Sequence, residues 1–145
     1  MPDVPIKRLH PEAVLPTYAH PGDAGADLVA SEDVTIAPAG GRAAVGTGIA
    51  MAIPDGHAGF VLPRSGLALR HGITCLNTPG LIDAGYRDEV RIILVNTDPS
   101  EPYTVHRGDR IAQLVIQPVE RTVFEAVDEL SDSVRGLGGF GSTGT

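Results

Sequence analysis

Apolar residues in this chain come in short bursts, each cut off by proline or glycine before a helix could grow long. Breakers stand at Pro16, Pro21-Gly22, positions 38–41, positions 54–56, Pro63, Pro79-Gly80, Pro99, Pro102, Gly108 and Pro118. The windows between them run roughly five to ten residues, a length that suits strands better than helices. Several alternate or are rich in β-branched residues: 34–36, 49–53, 89–95, 110–116 and 122–126. Within 110–116, Ala112, Leu114 and Ile116 fall on one side of a strand, with Gln113 and then Gln117 on the other. Short strands with a turn signal about every ten residues predict an all-β sandwich or barrel.

Helix has room in two places. Residues 65–71 follow Pro63, and Ser65 is placed to cap a single turn. Residues 124–134 space Val127, Leu130 and Val134 in a helical manner but with polar residues between them. Helix and irregular chain are both open there.

Composition narrows the chemistry. A chain of 145 residues fits one domain with a real core. The net charge of −7 argues against a nucleic-acid polymer as partner, since polyphosphate needs a basic face. It leaves room for a small anion gripped by a few arginines. Every basic residue except Lys7 is Arg, the better bidentate phosphate ligand, and Lys7 lies in no glycine loop, so a Walker A site is excluded. Cys75 stands alone, so neither an intrachain disulfide nor a cysteine metal cluster can form. No signal-peptide pattern and no apolar run near ~20 residues is present, which leads us to expect a cytoplasmic protein off the membrane.

Five stretches crowd polar residues among glycines. D-A-G-A-D-L (23–28) reads as a turn feeding a strand with Asp27 at its mouth, or as an ordinary turn aspartate. In P-R-S-G-L-A (63–68), Arg64, the Ser65 hydroxyl and free N–H groups at a helical turn converge as an anion site, or form only a cap. N-T-P-G-L-I-D-A-G-Y-R-D-E-V (77–90) reads as a shaped hairpin before a strand, with Asp83 either functional or merely solvated. R-G-D-R-I-A-Q-L (107–114) is a turn entering a strand that carries Gln113; nothing supports an adhesion motif. R-G-L-G-G-F-G-S-T-G-T (135–145) satisfies G-x-G-x-x-G through Gly136, Gly138 and Gly141. It lacks the following helix and the acidic residue about twenty positions on, so it is no dinucleotide site.

Together and in this order, the five stretches resemble the five motifs of the trimeric deoxyuridine triphosphate nucleotidohydrolases (dUTPases), from about Asp23 to Thr143. The resemblance implies a distorted, β-clip-like jelly-roll sandwich with at most one or two short helices. It implies a β domain over 1–134 and a flexible glycine-rich arm over 135–145 that acts as a lid on a neighbouring subunit. It further implies a homotrimer with shared active sites that uses Mg²⁺ to hydrolyse dUTP to dUMP and pyrophosphate, keeping uracil out of DNA and supplying dUMP for dTMP synthesis.

Residue by residue, the resemblance makes Asp83 the base that directs water at the α-phosphate. Arg64, Ser65 and Gly66 bind phosphate, and Gln113 lies near the α-phosphate and the water. Asp27 acts on the metal through water. Asn77, Gly80 and Ile82 receive uracil through main-chain groups, and Tyr86 packs on the deoxyribose, leaving no room for a 2′-hydroxyl. On the arm, Arg135 reaches the γ-phosphate, Phe140 stacks on uracil, and Gly141, Ser142 and Thr143 wrap the phosphates.

Where the family usually has glycine after Tyr-Arg, this chain has Asp88, which raises the question of whether the local backbone tolerates it. Two other functions share the pattern: a dCTP deaminase or bifunctional relative on the same fold, and a nucleotide-sensing protein without catalysis. A carbohydrate-binding jelly roll fits poorly, because 4% aromatics and no Trp leave little to stack on a sugar.

Overall fold

The computed structural model describes residues 1–144; Thr145, the last residue of the expected arm, lies outside the described residues. In chain order the elements are β1 (Ile6–Arg8), β2 (Ala26–Val29), β3 (Val34–Ile36), β4 (Arg42–Gly46), β5 (Ile49–Met51), β6 (His57–Leu62), α1 (Ser65–His71), β7 (Ile73–Cys75), β8 (Gly80–Ile82), β9 (Arg91–Asn96), β10 (Tyr103–Val105) and β11 (Arg110–Pro118). One sheet runs β2-β11-β6-β8 and a second runs β4-β9-β7, with the ribbons β1-β5 and β3-β10 beside them. All the pairings are antiparallel. This is the expected all-β jelly roll with one short helix. Among the described residues no helix is long and apolar enough to cross a membrane.

The core lies between the sheets. Leu28, Ile36, Val45, Ile49, Ile92, Leu94, Val105 and Ile111 are all within 1–2% of full burial. Each such side chain contributes about 1.5–3 kcal/mol by leaving water. Among the described residues, the one fully buried amide, Asn96, has both its polar atoms hydrogen-bonded. Its Nδ2 donates to the carbonyls of Ile36 and Glu101, and its Oδ1 accepts the Asp98 N–H.

The structure departs from the sequence expectations in several places. Residues 122–126 form no strand and lie exposed, because a strand needs a partner edge and this segment meets none within the chain. Residues 124–134 are irregular, which settles the open choice between helix and loop. The stretch 77–90 is not a hairpin: β8 pairs with β6, whereas β9 pairs with β4 and β7 in the other sheet, so the segment crosses between layers. Ser65 does not cap α1. The cap position is Arg64, in extended conformation, with no side-chain capping bond. Asp88 is not strained, since the one non-glycine residue with positive φ among those described is Ala39.

Strands β1, β4, β6, β7, β8 and β10 went unpredicted. β6 explains why: it is partly or fully buried along both faces, so it does not alternate, and Gly59 interrupts its apolar run. Packing is tight at that glycine: a Cβ there would stand 2.8 Å from Ile53 Cδ1, so the Ile53 side chain would have to shift.

Candidate active site

The motif residues gather in two cavities and on one exposed arm. The first cavity, of about 370 Å³, is lined by Asp27, Arg64, Ser65, Gly66 and Gln113, together with His20, Asp23, Gly25 and Arg110. Pairing of β2 with β11 sets Asp27 directly opposite Gln113, so both project from the same face of the sheet. Gln113 is aimed by its amide, whose Nε2 donates to the Pro63 carbonyl at 2.9 Å. Gly25 makes that approach possible, since a Cβ there would lie 2.6 Å from Gln113 Oε1.

Charge in this cavity is arranged around Asp27. Its Oδ2 lies 3.2 Å from Arg110 Nη1, and its Oδ1 lies 3.7 Å from Arg64 Nε. Arg64 is also held by its Nη1, which donates to the Arg110 carbonyl. Two guanidiniums, Arg64 and Arg110, face two carboxylates, Asp27 and Asp23, so the arginine and aspartate charges of the lining balance. The guanidinium donors, together with the opening N–H groups of α1, which have no intrahelical partners, suit an anion with several oxygens. Arg110 and His20 belong to it although the motif reading did not single them out. Arg110 was visible in the sequence as the strand-entry arginine, but only its pairing with Asp27 distinguishes it from a surface residue.

A second cavity, of about 170 Å³, is lined by Asn77, Gly80, Leu81, Ile82, Asp83 and Tyr86, with Val61, Cys75 and Val90 to Ile93 around them. It is narrow at Gly80, where a Cβ would stand 3.3 Å from Val61 Cβ and 3.5 Å from Asn77 Nδ2. The Thr78–Pro79 peptide, between the lining residues Asn77 and Gly80, is cis. Asp83 is exposed, and the ion pairs among the described residues do not involve it. The turn that follows is tight: the Tyr86 N–H donates to the Asp83 carbonyl, and the Tyr86 hydroxyl donates to the Glu89 carbonyl at 2.8 Å. Burial in the cavity wall pushes the Cys75 thiol up to about 11, so it is neutral near neutral pH.

The arm touches neither cavity. Arg135 turns back on its own segment, with Nε donating to the Gly138 carbonyl at 2.7 Å. Phe140, Gly141, Ser142 and Thr143 are exposed, with Gly141 in a left-handed turn at φ 75°.

The two cavities are also far apart within one chain. Gln113 pairs with Leu62, whereas Ile82 pairs with Gly59 on the far side of β6. Three residues along the sheet and two strands across it separate Gln113 from the Ile82–Asp83 end by roughly 14 Å. Among the described residues no three His, Cys, Asp or Glu side chains cluster as a metal cage.

Comparison with known proteins adds a family. A family model described as dUTPase matches residues 11–144. The deoxyuridine 5'-triphosphate nucleotidohydrolase of Thermobifida fusca is 67% identical over 97% of this chain and 78% of its own. That of Leifsonia xyli subsp. xyli is 58% identical over 98% of this chain and 90% of its own. Among solved structures, the Staphylococcus bacteriophage 80alpha dUTPase with dUPNHPP is similar with a TM-score of 0.85 and 30% identity, covering 99% of each chain. A mutant dUTPase from phage phi11 of S. aureus, described for its coordination of a structural Mg(II) ion, has a TM-score of 0.80 and 26% identity. That match covers 90% of this chain and 99% of the phage chain.

Proposed function

Because the chain belongs to the dUTPase family, we propose that its two cavities and its arm become one active site when chains assemble as a homotrimer. The activity is hydrolysis of dUTP to dUMP and pyrophosphate. The observation that supports the shared site is that Gln113 and Asp83 lie in different cavities of one chain, with roughly 14 Å of main chain between Gln113 and the Ile82–Asp83 end and the Gln113 amide turned to the Pro63 carbonyl. Placing both at one phosphorus is simplest when they come from different chains. The exposed apolar side chains Val123, Phe124, Leu130 and Val134 also support an assembly of chains, since none of the described residues covers them.

In that assembly the triphosphate lies in the first cavity, held by Arg64, Ser65 and Gly66, with Gln113 beside the α-phosphate and the attacking water. Uracil enters the second cavity against Asn77, Gly80 and Ile82, whose main-chain groups match its hydrogen-bonding edge. The slot discriminates because cytosine's amino group would be left badly paired, a mismatch on the order of 10⁴-fold in a dry site. The Tyr86 ring packs on the deoxyribose. Asp83, with no cation pairing it in the described chain, takes the proton of the water that attacks the α-phosphate, a role that contributes ~10²–10⁴ in rate. From a third chain, Arg135 reaches the γ-phosphate, Phe140 stacks on the base, and Gly141, Ser142 and Thr143 close over the phosphates. We assign this lid to residues 135–145 and the β domain to 1–134.

The donor set suits Mg²⁺ only in a particular way. Asp27 and Asp23 are the carboxylates of the phosphate cavity, and Asp27 is already paired with two arginines. They fit an ion that arrives on the nucleotide and keeps its waters, with Asp27 reaching it through one of them. Bound there, the ion supplies charge neutralisation for the triphosphate. The lone, buried cysteine supports a reducing compartment, the cytoplasm.

The test has two parts. Pyrophosphate release with Mg²⁺ is measured for dUTP against dTTP, dCTP and UTP; turnover confined to dUTP is expected, and ammonia from dCTP would point to a deaminase. Then two inactive variants from different cavities, Asp83→Asn and Arg64→Ala, are unfolded and refolded together. Shared sites predict that the mixture regains activity; none regained means each chain holds its own complete site.

A further inference from the structure

Glu89 ties the turn carrying Asp83 and Tyr86 to the rest of the fold. Its side chain is 20% exposed, and both carboxylate oxygens are engaged. Oε1 accepts the Gly48 N–H at 2.9 Å, and Oε2 accepts from Arg91 Nη1 at 3.2 Å. Space for the carboxylate at the end of β4 depends on Gly46, where a Cβ would stand 2.7 Å from Glu89 Oε1. The main chain of the same residue continues the link. Its carbonyl accepts the Tyr86 hydroxyl at 2.8 Å, and its N–H donates to the Asp88 carboxylate at 2.7 Å. Next to it, the Val90 N–H donates to the Ile49 carbonyl at 2.9 Å.

The consequence is mechanical. Tyr86 is half-way out of the protein, 42% exposed, so packing alone does not fix its ring. Its direction is set at both ends, by the Tyr86 N–H on the Asp83 carbonyl and by the hydroxyl on the Glu89 carbonyl. A ring that excludes one hydroxyl group by shape must not pivot, because a shift of about 1 Å is enough to admit the extra atom.

We infer that Glu89 is a positioning residue for sugar selection: anchored by Gly48 and Arg91, it holds the Tyr86 phenol where the ring closes the space a 2′-hydroxyl would need. The inference rests on the reading of Tyr86 as the sugar-facing ring. If Glu89 merely stabilised the fold, its loss would lower the melting temperature without changing selectivity.

The experiment compares kcat/KM for dUTP and UTP in the full-length chain and in Glu89→Ala, Glu89→Gln, Tyr86→Phe, Tyr86→Ala and the Glu89→Ala/Tyr86→Phe double variant. Glu89→Ala is expected to lower the dUTP/UTP ratio about tenfold, chiefly through gain on UTP. Glu89→Gln keeps an acceptor for Gly48 and restores most of the ratio. In the Tyr86→Phe background the link is already cut, so adding Glu89→Ala changes the ratio less than about twofold. Should Glu89→Ala not fold, Glu89→Asp is read in its place, because a side chain one methylene shorter withdraws from Gly48 while keeping its charge. A wild-type ratio in Glu89→Ala (or in Glu89→Asp where that variant is read in its place), or full additivity in the double variant, overturns the positioning role, while relaxed selectivity in Tyr86→Ala leaves the reading of Tyr86 standing. An unchanged ratio in Tyr86→Ala overturns that reading, and this inference with it.

Discussion

Arg110 and Asp27 meet at 3.2 Å in the phosphate cavity, although 83 positions separate them in the chain. With Arg64 on its other oxygen at 3.7 Å, Asp27 is the common counter-ion of the two guanidiniums that line this cavity. Replacing it by Asn frees both. Arg110 is half-exposed, so we expect a stability change within about 1 kcal/mol. Mg²⁺-dependent kcat should fall about tenfold or more, while metal-free binding of a non-hydrolysable dUTP analogue is undiminished. Calorimetry with and without Mg²⁺ reads both effects, and weaker metal-free binding would count against the counter-ion role.

Asp83→Asn would remove the proposed proton acceptor with almost no change in shape. We expect kcat to drop ~10²–10⁴-fold while affinity for the same analogue holds. A change confined to KM would place Asp83 in binding rather than in chemistry.

Gly25→Ala tests whether Gln113 must sit where it does. The added methyl would collide with Gln113 Oε1, 2.6 Å away, and push the amide off the Pro63 carbonyl. A kcat loss of about tenfold is expected with the melting temperature nearly unchanged, because the site is at the surface and the side chain can swing outward. Unaltered kcat would mean that Gln113 tolerates displacement.

Phe140 is fully exposed at 113%, so Phe140→Ala costs the folded chain no contact and should leave thermal stability untouched. If the ring stacks on uracil, its loss removes ~1–3 kcal/mol, or about 10–100-fold in kcat/KM. Steady-state kinetics beside a melting curve separates the two effects.

Cys75 gives a pH signature. Its thiol is raised from 9.0 to about 11 by burial, so the unfolded chain releases this proton first as pH rises. The associated stability is fully present below about pH 9 and lost on rising toward 11, at most about 3 kcal/mol. Denaturant midpoints across that range should fall in the wild type and fall less in Cys75→Ser. Native protein should also resist thiol alkylation at about pH 8, reacting only on unfolding.

Several parts of this molecule were legible before any coordinates. The breakers placed the turns, and the alternation in 110–116 predicted β11 with its buried Ala112 and Leu114 and its half-exposed Gln113. Four of the five glycine-crowded stretches supply residues to the two cavities, while 135–145 touches neither and His20, Val61, Cys75 and Arg91 to Ile93 lie outside all five. Other parts misled. Residues 122–126 have the composition of a strand and none of its pairing, and 77–90 has the punctuation of a hairpin but runs between two sheets. In both cases the local signal was genuine, and the missing fact was which edge stood next to it.

Turn positions, strand-forming windows and the chemical types at the site are properties of neighbouring residues, and the amino-acid order alone determined them. Backbone torsion and side-chain alternation act over a few positions. Sheet partition, the Asp27–Arg110–Arg64 cluster, the Glu89 link from Gly48 to Tyr86 and the distance between the cavities were decided only in three dimensions. Each depends on which distant segments pack together, a choice made by the whole core at once and by no single stretch of it.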